Sequence, residues 1–202
     1  MAPKTRSPRG VIDAAVRTAA ALTDARAEFA LIGGLAVAAR AEPRFTRDVD
    51  LAVSVVHDEE AERLVHDLST RGYRVEKVIE QTRTARLATA RLRHEATREI
   101  FIDLLFASSR IEPELVAGAE PIGYGRGQSL PVARTGHLIA LKILSESEER
   151  LQDRLDLRAL ALVATDEDWS LAEASLRLIR ARGFHRGRAL MRRLRAWRRG
   201  PR

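Results

Sequence analysis

The segment FALIGGLAVAARAEPRFTRDVDLAV, residues Phe29 to Val53, decides the fold of this chain. Its first apolar run, Phe29 to Ile32, predicts a short buried strand that ends in the turn Gly33-Gly34. The stretch Leu35 to Ala41, rich in Ala and Val and stopped before Pro43, predicts a short helix. The segment therefore begins as a strand, a tight turn and a helix.

The segment ends in a strand that carries two carboxylates on one face. Apolar and polar residues alternate from Asp48 to Val55, so Asp48 and Asp50 leave the strand on the same side. Two neighbouring like charges repel and raise a pKa, and a bound cation removes that penalty. Hard carboxylate oxygens suit Mg²⁺, which keeps several waters and also takes phosphate oxygens. The alternative is an ordinary exposed strand face, because Asp-x-Asp is a common pattern.

The glycine turn is a candidate phosphate-binding element. Glycine lets backbone N–H groups approach a phosphate closely, and the start of the following helix adds its positive dipole end. Taken alone, Gly33-Gly34 is better explained by a plain strand-to-helix turn. The order of the two features favours function, since a phosphate cradle and a metal-binding carboxylate pair each supply what the other lacks.

A third carboxylate, Asp103, lies in the middle of the apolar run Ile100 to Phe106. A buried carboxylate without a partner is costly, so Asp103 needs a metal or a cation. If its strand pairs with the Asp48 strand, cross-strand neighbours about 5 Å apart could share metals. The alternative is an ion pair between Asp103 and one of the many arginines.

The remaining pattern predicts an α+β fold with a small mixed β-sheet flanked by helices. Further strands are predicted at Tyr73 to Ile79, Arg86 to Arg93 and Ile100 to Phe106, with edge strands between Pro121 and Val132, and helices at Asp58 to Arg71 and Glu112 to Gly118. Helices alone are predicted at Thr135 to Ser145, Glu148 to Val163, Ser170 to Ala181 and Gly187 to Trp197. We therefore predict a catalytic α/β domain over residues 1–133 and a helical domain over 134–202, with a basic tail, Arg192 to Arg202, that frays.

The composition limits the function classes. The chain has 202 residues, a net charge of +7 and no cysteine, which excludes disulfides and thiolate zinc sites. Its positive charge is nearly all arginine, which suits bidentate phosphate contacts but is equally explained by genome composition. Apolar runs are too short for a membrane span, and no signal-peptide core follows the basic start, Met1 to Gly10. These features predict a cytoplasmic protein with no membrane partner.

These motifs together resemble the polymerase-β-type nucleotidyltransferase superfamily. The segments IGGLAVAAR and RFTRDVDL are similar to sequences of the AbiEii/AbiGii branch, whose members are the toxins of type IV toxin–antitoxin pairs. The likeness continues at HLIALKILSESEERLQDRLDL, where the family has a lysine followed by Arg and Asp-x-x-Asp. Lys142, Arg150, Asp153 and Asp156 occupy those places. One departure is the second glycine, since many superfamily members have Gly-Ser and touch the triphosphate through the serine hydroxyl.

The resemblance implies attack on the α-phosphorus of an NTP, with pyrophosphate leaving and two Mg²⁺ ions, or Mn²⁺ in their place. It assigns both metals to Asp48 and Asp50, and assigns Asp103 to the catalytic metal and to deprotonation of the acceptor. Lys142 would contact the triphosphate, with a snorkelling surface lysine as the alternative. The predicted nucleotide-binding set also includes Gly33, Gly34, Arg44, Thr46, Arg47, Arg150 and Asp153. Arg44, Thr46 and Arg47 could instead only close the loop, and Asp153 with Asp156 could orient Lys142 or form a surface charge network.

Three functions remain open at the level of sequence. The first is an AbiEii-like toxin that modifies RNA, such as a tRNA acceptor end, and has a cognate antitoxin protein. The second is transfer to a hydroxyl of a protein or of a small molecule such as an aminoglycoside. The third is a non-catalytic module that binds a nucleotide or nucleic acid.

Overall fold

The structure is a computed structural model that describes residues 8–81, 86–97, 99–125, 127–147 and 149–200. Three sequence predictions reach outside these ranges. They are most of the basic start Met1 to Gly10, the predicted helix start at Glu148, and the last two residues of the tail, Pro201 and Arg202.

One seven-stranded sheet forms the centre of the described chain. Its strands are β1 (Glu28–Ile32), β2 (Asp48–Ser54), β3 (Tyr73–Glu80), β4 (Leu87–His94), β5 (Phe101–Leu105), β6 (Glu120–Gly123) and β7 (Ser129–Val132). They lie in the order β3-β4-β5-β2-β1-β7-β6. The sheet is mixed, because β2 runs parallel to β5 and β1 runs parallel to β7 while the other pairs are antiparallel.

Eight α-helices among the described residues flank the sheet. They are α1 (Pro8–Asp24), α2 (Gly33–Arg40), α3 (Asp58–Ser69), α4 (Glu112–Ala117), α5 (Thr135–Ser145), α6 (Leu151–Val163), α7 (Asp166–Ala181) and α8 (Leu190–Arg198). The predicted fold class is confirmed: strands and helices mix up to Val132, and the described residues after it are helical or irregular. None of these helices is long and apolar enough to cross a bilayer. The domain boundary at 133/134 stays a prediction.

The alternation in β2 separates a core face from a polar face. Val49, Leu51 and Val53 are fully buried, and the strand packs against α1 and α4. Asp48 and Asp50 are only partly buried on the opposite side. The helical half joins the sheet through α2, which α5 and α6 both contact. The helix that begins at the diglycine turn therefore lies where the two halves meet.

The helix predicted at Gly187 to Trp197 is present as α8 (Leu190–Arg198), which includes most of the tail that was expected to fray. Leu190 and Leu194, one helical turn apart, are both buried and anchor this helix. Polar contacts fix the same helix: Arg193 donates to the carbonyl of Glu146 at 3.0 Å, and the Trp197 indole N–H donates to the Glu146 carboxylate at 3.4 Å. The arginines of the tail are therefore displayed on an ordered helix.

His137, in the first turn of α5, gives the fold a specific pH sensitivity. It is 4% exposed, and burial together with the nearby charge of Arg134 lowers its pKa from 6.5 to about 4, against an opposing effect of Glu114. The native state then binds fewer protons than the unfolded state between these values. The stabilisation that comes from the neutral His137 is therefore fully present above pH 6.5 and is lost as the pH falls towards 4.

We expect His137→Gln to remove this dependence. Between pH 6.5 and 4.5, the free energy of unfolding of the wild type should fall by on the order of 2 kcal/mol more than that of His137→Gln, as measured by urea denaturation. His57→Gln, which changes an exposed histidine, should follow the wild type. Parallel pH curves for His137→Gln and the wild type would contradict the assignment.

Candidate active site

Parallel pairing of β2 with β5 brings the three predicted carboxylates together. Asp50 and Asp103 are direct partners in this register, and Asp48 pairs with Phe101 two residues earlier. Neighbouring strands lie about 4.8 Å apart, so carboxylates at paired positions on one face are close neighbours. The sequence predicted that Asp103 would lie near Asp48 and Asp50 if their two strands were adjacent. The pairing of β2 with β5 meets that condition.

Asp50 is the most perturbed of the three carboxylates. Its burial, and after it the charges of Asp103 and Asp48, raise its pKa to about 6. The positive charge of Lys142 and a hydrogen bond from the backbone N–H of Gly34 act in the opposite direction. Asp50 therefore lies where negative charge is in excess and where a bound cation would be favoured.

The diglycine turn lies directly against these carboxylates. Gly33 has a φ of +66°, and a Cβ atom added there would fall 1.9 Å from the Asp50 carboxylate oxygen Oδ2. A Cβ atom at Gly34 would lie 2.4 Å from the Arg44 guanidinium and 2.8 Å from the Thr46 hydroxyl. Only glycine allows this approach, so the backbone N–H groups at the start of α2 are held beside the acidic pair.

Asp103 is held by an arginine. Arg91 donates from Nε to Oδ1 at 2.7 Å and from Nη2 to Oδ2 at 2.6 Å, so both oxygens of Asp103 accept from one guanidinium. Of the two explanations left open by the sequence, a metal ligand or an arginine partner, the arginine partner is present in this structure. Among the described residues no group of three potential ligands is arranged to hold a metal ion.

Lys142 lies in a second charged network beside the first. Its Nζ is 2.7 Å from Asp153 Oδ1 and 2.7 Å from Asp156 Oδ2, and its side chain is mostly buried. Arg44 also donates to Asp156, from Nη2 at 2.9 Å. Lys142 therefore neither snorkels nor lies free on the surface: two buried carboxylates fix its ammonium group close enough to Asp50 to lower that residue's pKa.

A cleft of about 850 Å³ opens over this floor, between the sheet and the helical half. Asp50, Gly33, Lys142, Asp153 and Arg150 line it, which brings five of the predicted residues to one cavity. The mainly exposed Arg150 guanidinium is 3.8 Å from Asp153. The volume lies in the range of small-molecule sites.

The other predicted residues lie around this cleft. Arg44 and Thr46 support the diglycine turn from outside. Arg47 is exposed, with its guanidinium 5.9 Å from the centre of the Phe45 ring, and together with Thr46 it lines a separate small cavity of about 160 Å³. Loop closure therefore describes the observed positions of Arg47 and Thr46 better than contact with a ligand in the main cleft does.

Several residues of the site escaped the sequence analysis. They are Arg91 on Asp103, and Thr89, Ser108, Ser109, His185 and Arg186 in the lining of the cleft. Arg91 falls in the predicted strand Arg86 to Arg93, but only the register with β5 shows that it faces Asp103. His185 and Arg186 lie between α7 and α8, where the pattern predicts nothing but a connection.

Comparison with solved structures identifies the fold. An antigenic nucleotidyltransferase-like protein from Paracoccidioides brasiliensis is similar over 94% of both chains, with a TM-score of 0.55 and 17% identity. A lincosamide antibiotic adenylyltransferase with lincomycin bound is 12% identical over 78% of this chain and 98% of its own, with a TM-score of 0.48. A nucleotidyltransferase of H. pylori is 13% identical over 96% and 93%, with a TM-score of 0.47. The last two values are too low to carry a structural argument, and the first establishes the nucleotidyltransferase fold.

Comparisons by sequence give no further match: no family model fits the chain, and no curated protein is similar to it. The superfamily fold implied by the resemblance is confirmed by structure, whereas the AbiEii/AbiGii branch stays a prediction.

The close approach at Gly33 predicts a large effect of one added methyl group. Gly33→Ala should lower the free energy of unfolding by about 2 kcal/mol or more, because it combines backbone strain with a clash against Asp50. Gly125→Ala is the matched control, since Gly125 also has a positive φ, of +84°, but open space around its Cβ position. Denaturant unfolding of both variants gives the comparison. Equal losses would show that the contact with Asp50 is unimportant.

The second network predicts that Lys142 stabilises the fold as well as the site. Lys142→Met leaves Asp153 and Asp156 buried with less positive charge, so we expect a loss of about 3 kcal/mol at pH 7. The loss should shrink towards pH 4, where the carboxylates can take up protons. Lys77→Met, at an exposed position of β3, should cost almost nothing. A Lys142→Met loss that is small or independent of pH would contradict this account.

Proposed function

We propose that this protein transfers a nucleoside monophosphate from an NTP to a hydroxyl group of RNA. The observation that carries the proposal is the position of Asp50. This acidic residue lies beside Asp103, against the Gly33-Gly34 turn, and in the wall of a cleft large enough for a nucleotide. The shared nucleotidyltransferase fold supports the same class of reaction.

The residues of the floor fit a divalent cation through two carboxylates rather than three. Mg²⁺ is usually held by one or two carboxylates, with water and substrate phosphate oxygens completing its octahedron. Asp48 and Asp50 share one strand face, and the raised pKa of Asp50 reflects its burial first and the neighbouring charges of Asp103 and Asp48 second. When bound, the ion would polarise the phosphoryl group and neutralise charge on the leaving pyrophosphate. Both oxygens of Asp103 accept hydrogen bonds from Arg91, so Asp103 is left out of this set while that pairing lasts.

The chain's own groups would bind and orient the triphosphate. The backbone N–H of Gly34, at the start of α2, points at Asp50, beside which phosphate oxygens bridged by a cation would lie. Lys142 supplies a positive charge that Asp153 and Asp156 hold in a fixed place. Such prepositioned charges stabilise the transferring phosphoryl group without reorganisation during the reaction.

An RNA acceptor is favoured by the basic surface next to the cleft. Residues 183–187 line the cleft, and α8 begins three residues further along the chain. Arg192 and Arg195 are exposed on that helix, and Arg199 is exposed directly after it. Arg150 is exposed at the cleft itself. Exposed arginines on the helix that follows the cleft-lining segment suit a polyanionic backbone. The AbiEii-like toxin role, with an antitoxin protein as partner, belongs to the same proposal and rests on the motif resemblance.

Transfer of label provides the test. The purified chain is incubated with Mg²⁺, total tRNA and each of the four α-³²P-labelled NTPs, and the RNA is then resolved on a denaturing gel. We expect label on RNA with one or more NTPs, and a loss of at least about a thousandfold in Asp48→Ala/Asp50→Ala. Asp67→Ala, at an exposed position of α3, is the matched control and should keep full activity.

The acceptor is distinguished in the same assay. Transfer to RNA should weaken steeply as salt rises from 50 to 200 mM, because phosphate contacts release counterions (on the order of tenfold or more for several contacts). Label that survives the double substitution would refute nucleotidyl transfer at this site. Label found on added protein or aminoglycoside, insensitive to salt and absent from RNA, would refute the RNA acceptor alone.

A further inference from the structure

The pairing of Arg91 with Asp103 is built into the sheet. The two residues are direct partners in the antiparallel register of β4 with β5, so their side chains leave neighbouring strands on one face. The guanidinium meets the carboxylate through two hydrogen bonds, of 2.7 and 2.6 Å. Such a bidentate geometry is the strongest form of arginine–carboxylate contact.

Arg91 is nevertheless accessible from solvent. Its side chain is 38% exposed, against 12% for Asp103. Its guanidinium carbon lies 5.0 Å from the centre of the Phe101 ring, which supports it from the side. The arginine can therefore leave Asp103 by turning about its own side-chain bonds, whereas Asp103 is confined beneath it.

A guanidinium that donates to both oxygens of Asp103 competes with a metal ion for this carboxylate, because each cation lowers the negative charge available to the other. While Arg91 is bound there, the positive charge that balances this carboxylate comes from the protein. Phosphate competes well for a guanidinium, because it offers the same two-oxygen geometry with more negative charge than a carboxylate. A triphosphate placed beside Asp50 on β2 would lie two strands, about 10 Å, from β4, the strand from which Arg91 projects across Asp103.

Resting on the nucleotidyl transfer proposed above, we infer that Arg91 is a phosphate-binding residue, held on Asp103 until a nucleoside triphosphate draws it away. Asp103 is then a positioning residue in the nucleotide-free protein and becomes a metal ligand only when the nucleotide has taken Arg91. The nucleotide-free site consequently binds one divalent ion, at Asp48 and Asp50, and the second ion enters together with the nucleotide.

Mn²⁺ binding to the full-length, nucleotide-free protein tests this inference without relying on activity. Free Mn²⁺ is followed by electron paramagnetic resonance during titration. We expect one bound ion in the wild type and two in Arg91→Gln, because the carboxylate of Asp103 is then available. Arg93→Gln is the matched control, since Arg93 also lies over the Phe101 ring, at 4.5 Å, but ion-pairs with Glu76. It should bind one ion, and so should Arg91→Gln/Asp103→Asn.

Nucleotide binding supplies the second arm. The α,β-methylene analogues of the four NTPs are titrated in the presence of Mn²⁺. The analogue that binds the wild type should bind Arg91→Gln about tenfold more weakly or worse, and Arg93→Gln with nearly unchanged affinity. Circular dichroism and the melting temperature establish that each variant is folded.

The outcomes separate this inference from the proposed function. Two ions in the nucleotide-free wild type, one ion in Arg91→Gln, or equal analogue affinity in the two arginine variants would each overturn the inference. A protein that binds neither Mn²⁺ nor any analogue would instead refute the proposed function, and the inference with it.

Discussion

The contact between the Gly33 backbone and the Asp50 carboxylate is the constraint on which the rest of the site depends. It joins the end of β1, the start of α2 and the middle of β2 at distances that admit no side chain at residue 33. The parallel pairing of β2 with β5 then places Asp103 beside Asp50. A short strand–turn–helix–strand segment thus brings helix-start N–H groups and acidic oxygens within reach of one another.

Electrostatic balance explains why cations from different elements surround this floor. Arg91 of β4 neutralises Asp103, while Lys142 of α5 and Arg44 of the loop before β2 meet Asp156. Buried carboxylates are tolerated only when paired in this way. The helical half therefore supplies structure and charge together, since its Lys142 network closes one side of the cleft and lowers the pKa of Asp50. A divalent ion that carries a phosphate group would balance the negative charge of Asp48 and Asp50.

Local pattern predicted the elements well, and long-range register explains what it missed. The period-two alternation predicted β2 and its acidic face, and the apolar run around Asp103 predicted β5. Both signals depend only on neighbours within a few residues. The partner of Asp103 could not be chosen from the sequence, since a shift of β4 by one residue would turn Arg91 to the other face. The segment 183–187 carries no periodicity, yet chain topology returns it to the cleft. The helix in the basic tail was predicted from the same local pattern, whereas its contacts with Glu146 depend on residues distant in the sequence.

The most direct test of the central claim is anomalous diffraction from crystals grown with Mn²⁺ and an α,β-methylene NTP analogue. The account predicts a manganese peak bonded to the carboxylates of Asp48 and Asp50, with nucleotide phosphates against the backbone of Gly33 and Gly34. Manganese elsewhere, or a nucleotide bound away from the diglycine turn, would contradict it.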